Sequence, residues 1–122
     1  MPEQTTTMTH AAAIQFLARA AFAVDQLYCV DEPDGRVLII RLTRCAENIA
    51  AHGGLPESDM DAYRRIVFST GPVDCQPLTD DELTEGRTQL AELTQSINPD
   101  SEDFADALEA LGTLQELSQP AT

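Results

Sequence analysis

Apolar residues recur at every third or fourth position through most of this chain, which is the repeat of one face of an α-helix. The first segment with this pattern covers residues 9–28, and its apolar positions are Ile14, Leu17, Ala21, Val24 and Tyr28. The mostly polar residues 1–8 before it lack the pattern, and we expect them to form a flexible tail. The chain is therefore predicted to begin with a tail followed by an amphipathic helix.

The segment that follows is compatible with two structures. Beyond the turn Asp31–Gly35, apolar residues again repeat at helical spacing, at Leu38, Leu42, Cys45 and Ile49. The stretch Val37–Ile40, however, is rich in β-branched residues and can pair with Leu27–Val30 as a β-hairpin. We favour a helix that ends at the glycines after His52, because the helical repeat continues past the ambiguous stretch. A short hairpin within residues 27–42 is the alternative.

Start and stop signals predict three further helices. Ser58 is placed to cap the third helix. Before the fourth, Thr79 and Glu82 form a capping box, in which the Thr79 hydroxyl accepts the backbone N–H of Glu82 and the Glu82 carboxylate accepts the backbone N–H of Thr79. The turn at Asn98 separates the fourth helix from the fifth, which Asn98 or Ser101 would cap.

These elements make one small domain. The chain has 122 residues, of which 43% are hydrophobic and 5% aromatic, without tryptophan. Many of the hydrophobic residues are alanines, which bury little area each, so the core should be modest. The sequence predicts an all-α bundle of about five helices over residues 9–118, with a tail at 119–122. We also expect homodimerisation, because such a chain can bury more apolar area between two copies than within one.

The charge of the chain is strongly negative and unevenly distributed. Seven arginines and no lysine oppose 21 acidic residues, for a formal net charge of −14. This charge disfavours direct binding to nucleic acid, whose phosphates need a positive surface. No run approaches the roughly 18 apolar residues of a membrane span, so no membrane partner is expected. Twelve of the acidic residues follow Ile66, where Arg87 is the one basic residue, so this segment is an acidic block.

Two groups of acidic residues in that block are candidate partner-binding residues. Asp80, Asp81 and Glu85 lie near the start of the predicted fourth helix, and Asp103 and Asp106 near the start of the fifth. Acidic residues in a first turn also stabilise a helix through its dipole, but these helices carry hardly any basic residues to balance them. The two groups together are typical of a surface that binds a basic partner. Such a partner includes a nucleic-acid-binding protein, whose surface for phosphates would bind these carboxylates instead.

A second candidate surface surrounds the consecutive residues Arg64 and Arg65. Consecutive residues on a helix point about 100° apart, so one arginine can pair with Asp61 while the other faces solvent. With Tyr63 and Phe68 beside it, an exposed arginine would suit a protein interface, where Arg and Tyr are enriched.

Catalytic and metal-binding patterns are missing from the sequence. Its two histidines, His10 and His52, are far apart, and Cys29, Cys45 and Cys75 have no metal-ligand spacing with one another or with the histidines. Phosphate-binding glycine loops and nucleophile motifs are missing as well. An odd number of widely spaced cysteines is typical of reduced thiols in the cytoplasm. We therefore expect surface histidines, buried thiols, no cofactor, no metal and no catalysis.

Together these observations favour a small acidic protein-interaction module that binds and regulates or inhibits another macromolecule, with its acidic C-terminal helices as the first candidate surface. One alternative is a nucleic-acid-mimicking inhibitor of a DNA- or RNA-binding protein, whose binding would weaken steeply with salt. An alternative of another class is a small enzyme or ligand-binding protein whose site is assembled from residues far apart in the sequence.

Overall fold

The computed structural model of the protein describes residues 8–27, 33–68 and 78–118. Within these ranges the chain forms five α-helices and no β-strand. The helices are α1 His10–Leu27, α2 Pro33–Gly53, α3 Glu57–Val67, α4 Asp80–Ile97 and α5 Glu102–Ser118. The predicted small all-α bundle is confirmed.

The bundle is organised around α1, which packs against all four other helices. Leu17, Ala20, Ala21 and Val24 on α1 are completely buried. Because an alanine side chain extends a single carbon from the backbone, neighbouring helices can approach α1 closely. The apolar repeat in the first helical segment therefore marks the centre of the core.

The second helix decides between the two interpretations of residues 27–42. α2 begins at Pro33, and Val37–Ile40 lies inside it, so the hairpin alternative is wrong. The predicted apolar stripe of this helix is buried: Leu38, Leu42, Cys45 and Ile49. Proline suits the first position of a helix, where an N–H would have no intrahelical acceptor. Residues 28–32, which include the first two positions of the predicted turn, lie outside the described ranges. The other three positions, 33–35, belong to the first turn of α2, so the prediction of a turn there is wrong.

α2 ends at the glycines that the sequence marks as a terminator. Gly54 has φ 61°, in the left-handed region that favours glycine. The N–H of Leu55 donates to the carbonyl of Ala50 at 3.0 Å, and the N–H of Gly54 donates to the carbonyl of Ala51 at 3.3 Å. These two bonds form a Schellman motif, after which α3 runs back beside α2.

The third and fourth helices begin in different ways. α3 starts at Glu57, and Ser58 lies inside it, so the prediction that Ser58 caps this helix is wrong. Pro56 takes the cap position instead, because its φ of −66° and ψ of 154° already give the extended backbone found there. α4 has the predicted capping box, in which Thr79 Oγ1 accepts the N–H of Glu82 and Glu82 Oε1 accepts the N–H of Thr79, each at 3.1 Å.

The last two helices form an antiparallel pair joined by residues 98–101. Asn98 Oδ1 accepts the N–H of Asp100 at 3.2 Å, which stabilises the turn, and Ser101 directly precedes α5. At the other end of the pair, Gln115 Nε2 donates to Thr84 Oγ1 at 2.6 Å. The start of α4 therefore lies beside the end of α5.

The predicted tails lie largely outside the described residues, which begin at Met8 and end at Ser118. Met8, which the sequence assigns to the N-terminal tail, is instead buried against the core. The packed domain therefore includes Met8, because burial of its apolar side chain is favourable.

Candidate functional site

The structure does not bring the two groups of acidic residues together. Asp80, Asp81 and Glu85 are exposed at the start of α4, whereas Asp103 and Asp106 are half-buried at the start of α5. Because α4 and α5 are antiparallel, their starts lie at opposite ends of the pair, on the order of 20 Å apart. The predicted joint acidic surface is therefore not formed.

Asp103 is engaged inside the molecule. Asn48 Nδ2 donates to Asp103 Oδ2 at 2.6 Å, which joins α2 to α5. Burial, reinforced by the negative charge of Asp103, raises the pKa of the Cys45 thiol to about 12. This free thiol is protonated at neutral pH and is therefore a poor nucleophile. Cys29 and Cys75, the other two predicted thiols, lie outside the described ranges.

Glu82 also has an internal partner. Arg19 Nη1 and Nη2 donate to Glu82 Oε2 and Oε1, each at 3.1 Å, which joins α1 to α4. These bonds, together with the backbone N–H of Thr79, lower the pKa of Glu82. Glu82 therefore serves helix capping and helix packing together.

Tyr63 is buried, contrary to its predicted place in an interface. Its side chain is 1% exposed, and its hydroxyl lies 2.9 Å from Thr43 Oγ1. The Thr43 hydroxyl donates to the carbonyl of Ile39 at 2.8 Å, so Tyr63 is the donor to Thr43. Burial raises the pKa of Tyr63, so its hydroxyl keeps this proton. Tyr63 therefore joins α3 to α2 and offers little surface for the predicted contact with a partner.

The two consecutive arginines divide as predicted. Arg64 Nη1 pairs with Asp61 Oδ1 at 3.1 Å, one turn earlier on α3. Arg65 is exposed, and no carboxylate of the described residues forms an ion pair with it. Both arginines lie in the last turn of α3, where positive charge stabilises the helix dipole. Arg65 is therefore accessible to a partner.

The large apolar side chains that are exposed in the described ranges lie on α2 and at the end of α3. Val37 and Ile40 are 44% and 49% exposed, and Phe68, directly after α3, is 59% exposed. The bond between Tyr63 and Thr43 joins the middle of α3 to the middle of α2, and both Phe68 and the first half of α2 lie beyond this bond, on the side away from the loop that connects the two helices. The sequence carries a signal for Val37 and Ile40, because a helix over this segment puts both outside the buried stripe.

Most of the positive charge lies on the same two helices. Five of the seven arginines belong to α2 and α3: Arg36, Arg41, Arg44, Arg64 and Arg65. Arg44 lies one turn after Ile40 on the outer face of α2, and Arg65 lies one turn before Phe68. We define the α2–α3 patch as the following side chains: Val37, Ile40, Arg41, Arg44, Arg65 and Phe68.

The two histidines of the chain are in contact. His10, the first residue of α1, and His52, in the last turn of α2, are 42 residues apart, and His10 Nε2 lies 3.1 Å from His52 Nδ1. The rings are parallel within 5° and their centroids are 5.4 Å apart. The distance between the ring centroids is longer than the Nε2–Nδ1 distance by about two ring radii, so the rings lie end to end rather than face to face. One of the two facing nitrogens carries a hydrogen and donates it to the other. No spacing in the sequence indicates this contact.

No protein-family model matches this chain, and no curated protein or solved structure has significant similarity to it. None of the helices in the described ranges has the length and apolar character needed to cross a membrane. The same ranges contain no group of three or more His, Cys, Asp or Glu side chains placed to hold a metal ion.

Proposed function

We propose that this protein is an interaction module that binds another protein through the α2–α3 patch and thereby regulates or inhibits it. The observation that carries the proposal is that the large exposed apolar side chains of the described residues lie on, or directly after, the two helices that carry five of the seven arginines, three of which belong to the patch. Solubility does not account for this arrangement, because the 21 acidic residues already provide a large net charge.

The patch has the composition of a protein interface. Ile40 and Phe68 are about half exposed, and burying them against a partner would contribute roughly 25 cal/mol per Å² of apolar area. Arginine and aromatic side chains are enriched among the residues that dominate binding energies. Because arginines flank the apolar residues here, the matching partner segment carries apolar side chains flanked by carboxylates.

The same charges argue against pairing two copies of the chain through this patch. A symmetric dimer would place Arg44 and Arg65 of one copy close to the same arginines of the other. The net charge of −14 adds a general repulsion between copies. We therefore propose a different protein as the partner, and the homodimer expected from composition would need another surface.

The acidic residues in the first turns of α4 and α5 are a weaker candidate for a partner-binding surface than the α2–α3 patch. Mimicry of nucleic acid needs closely spaced negative charges along one surface, whereas the two acidic groups lie at opposite ends of α4 and α5. Asp103 is in addition hydrogen-bonded to Asn48. The nucleic-acid mimic is therefore the competing hypothesis. A cytoplasmic location with reduced thiols remains part of the proposal.

Quantitative affinity capture from the native host with three baits tests the proposal. The baits are the wild type, a patch variant (Val37→Ala, Ile40→Ala, Phe68→Ala) and an acidic variant (Asp80→Asn, Asp81→Asn, Glu85→Gln). Both variants change exposed side chains, so helical circular dichroism and the melting temperature should stay close to those of the wild type. We expect the patch variant to lose the partner and the acidic variant to keep it.

The same capture at high salt separates the two kinds of surface. Apolar contacts tolerate salt, whereas binding through exposed carboxylates weakens steeply. A partner that the acidic variant loses and the patch variant retains would favour the nucleic-acid mimic. A partner that binds both variants as tightly as the wild type would contradict the proposed surface.

A further inference from the structure

We propose that His10 and His52 form a surface site for one divalent transition-metal ion of the zinc class. The site lies where α1 begins and α2 ends, away from the α2–α3 patch, which occupies the first half of α2. These are the two histidines of the chain, and their facing nitrogens are 3.1 Å apart. Imidazole nitrogen is a preferred ligand of zinc, copper and nickel ions.

The distance between the two nitrogens suits coordination of one ion. Zn–N bonds of about 2.0–2.1 Å at a tetrahedral angle place two ligand nitrogens about 3.4 Å apart. His10 Nε2 and His52 Nδ1 are already within a few tenths of an ångström of that separation. Both rings would have to turn so that their lone pairs converge on the ion.

The backbone beside the pair is adapted to the close approach of His10. A Cβ atom at Gly53 would lie 2.7 Å from His10 Cδ2 and 2.8 Å from His10 Cγ, so a side chain at position 53 would displace the ring. His10 is half-buried against this glycine, whereas His52 is exposed. The pair is therefore positioned by the end of α2 and still open to an ion from solvent.

Metal binding replaces one hydrogen bond by two coordinate bonds. In the metal-free pair, one of the facing nitrogens carries a proton and the other accepts it. On binding, that proton leaves to solvent and the same ring takes up a proton on its other nitrogen. Both imidazoles then stay neutral and donate a lone pair to the ion. Water completes the coordination, since the described residues offer no third ligand of the usual types.

The bound ion joins the first turn of α1 to the last turn of α2. The two ligands are 42 residues apart and converge only in the folded chain. Binding therefore stabilises the folded state by an amount that grows with the concentration of free metal.

Calorimetric titration of Zn²⁺ tests the site on the full chain carrying Cys29→Ser and Cys75→Ser, so that neither thiol binds the ion. We expect one Zn²⁺ per chain, a melting temperature that rises with Zn²⁺, and no response to Mg²⁺, which prefers oxygen ligands. His10→Gln and His52→Gln should each raise the Kd by roughly tenfold or more.

Gly53→Ala tests the positioning of the ring separately. It keeps both imidazoles but displaces His10, so it should also weaken Zn²⁺ binding. Circular dichroism without metal establishes that each variant is folded. Zn²⁺ binding that persists in the double variant His10→Gln/His52→Gln would assign the ion to carboxylates and overturn the proposal. The lack of any Zn²⁺ binding by the parent chain would overturn it as well.

Discussion

Two glycines inside helices have opposite structural roles. A Cβ atom at Gly86 of α4 would lie 2.7 Å from Cδ1 and Cζ of the Phe16 ring on α1, and closer still to Cε1. The Phe16 ring is buried, so it has little room to move. A Cβ atom at Gly112 of α5 would instead meet the end of the flexible Arg87 side chain, 2.9 Å from Nη2. Of these two glycines, Gly86 is the one that the packing of two helices requires.

Gly86→Ala should therefore destabilise the protein by about 1–3 kcal/mol through overpacking. Helix propensity alone would favour alanine by up to about 1 kcal/mol. Gly112→Ala is the matched control, and it should be neutral or stabilising because Arg87 can move aside. Urea unfolding followed by circular dichroism measures both free energies. Equal effects of the two substitutions would contradict the role assigned to the Phe16 contact.

At the scale of the elements, helix starts depend on backbone geometry as well as on side-chain chemistry. Thr79 has an extended backbone and a hydroxyl that accepts an N–H of the first turn of α4. Ser58 has a suitable hydroxyl too, but Pro56 two residues earlier already provides the extended backbone, and Ser58 becomes part of α3. The residue type favours a cap at both Thr79 and Ser58, but Pro56 takes the cap position of α3 in place of Ser58.

Thr79→Ala should lower the free energy of unfolding by about 1 kcal/mol, because α4 loses the acceptor for the N–H of Glu82. Ser58→Ala is the matched control and should change it by less than about 0.5 kcal/mol. Chemical denaturation at constant pH gives both values. A greater loss for Ser58→Ala than for Thr79→Ala would contradict the observed helix starts.

At the scale of the whole molecule, the part of the core that the structure describes holds the thiol of Cys45 and the hydroxyl of Tyr63 in their neutral form. The side chains of Cys45 and Tyr63 are 0% and 1% exposed. Burial is the main reason that the pKa of each is raised above its ordinary value of 9.0 or 10.0. In the unfolded chain both groups release their protons at lower pH than in the folded protein.

The protein should therefore lose stability in alkaline solution. The contribution of neutral Cys45 is fully present below about pH 9 and is lost as the pH rises towards about 12, where the folded thiol also ionises. Tyr63 adds to the loss above about pH 10. Urea unfolding across this range measures the effect. The Cys45→Ala variant should be less stable than the wild type at neutral pH, because the substitution leaves a cavity. Its free energy of unfolding should nevertheless fall less than that of the wild type as the solution becomes alkaline. Parallel pH curves for the two proteins would refute the contribution of Cys45.

Part of the candidate surface follows from the sequence once the helices are known. Helical spacing predicts that one of the two arginines pairs with Asp61 and that the other is accessible. The structure decides that Arg64 is the one that pairs. Val37 and Ile40 lie off the buried stripe of α2, so the same spacing places them on its outer face. The concentration of these residues at one end of the α2–α3 pair needs the course of α3 as well.

The amino-acid sequence by itself determined the five helices and most of their buried faces. The Thr79 capping box and the left-handed Gly54 act over a few residues. The apolar repeats are likewise set by spacing within one helix. Local interactions of this kind depend on neighbours in the chain, so residue types and spacing are sufficient to predict them.

Only the tertiary structure decided which side chains meet. It buried Tyr63, joined His10 to His52 and separated the two acidic turns by making α4 and α5 antiparallel. The side-chain contacts between helices link residues as far as 63 positions apart. Their partners are set by the simultaneous packing of the apolar faces of four helices around α1. No spacing within the chain encodes that packing, because it depends on the shapes of all the buried side chains together.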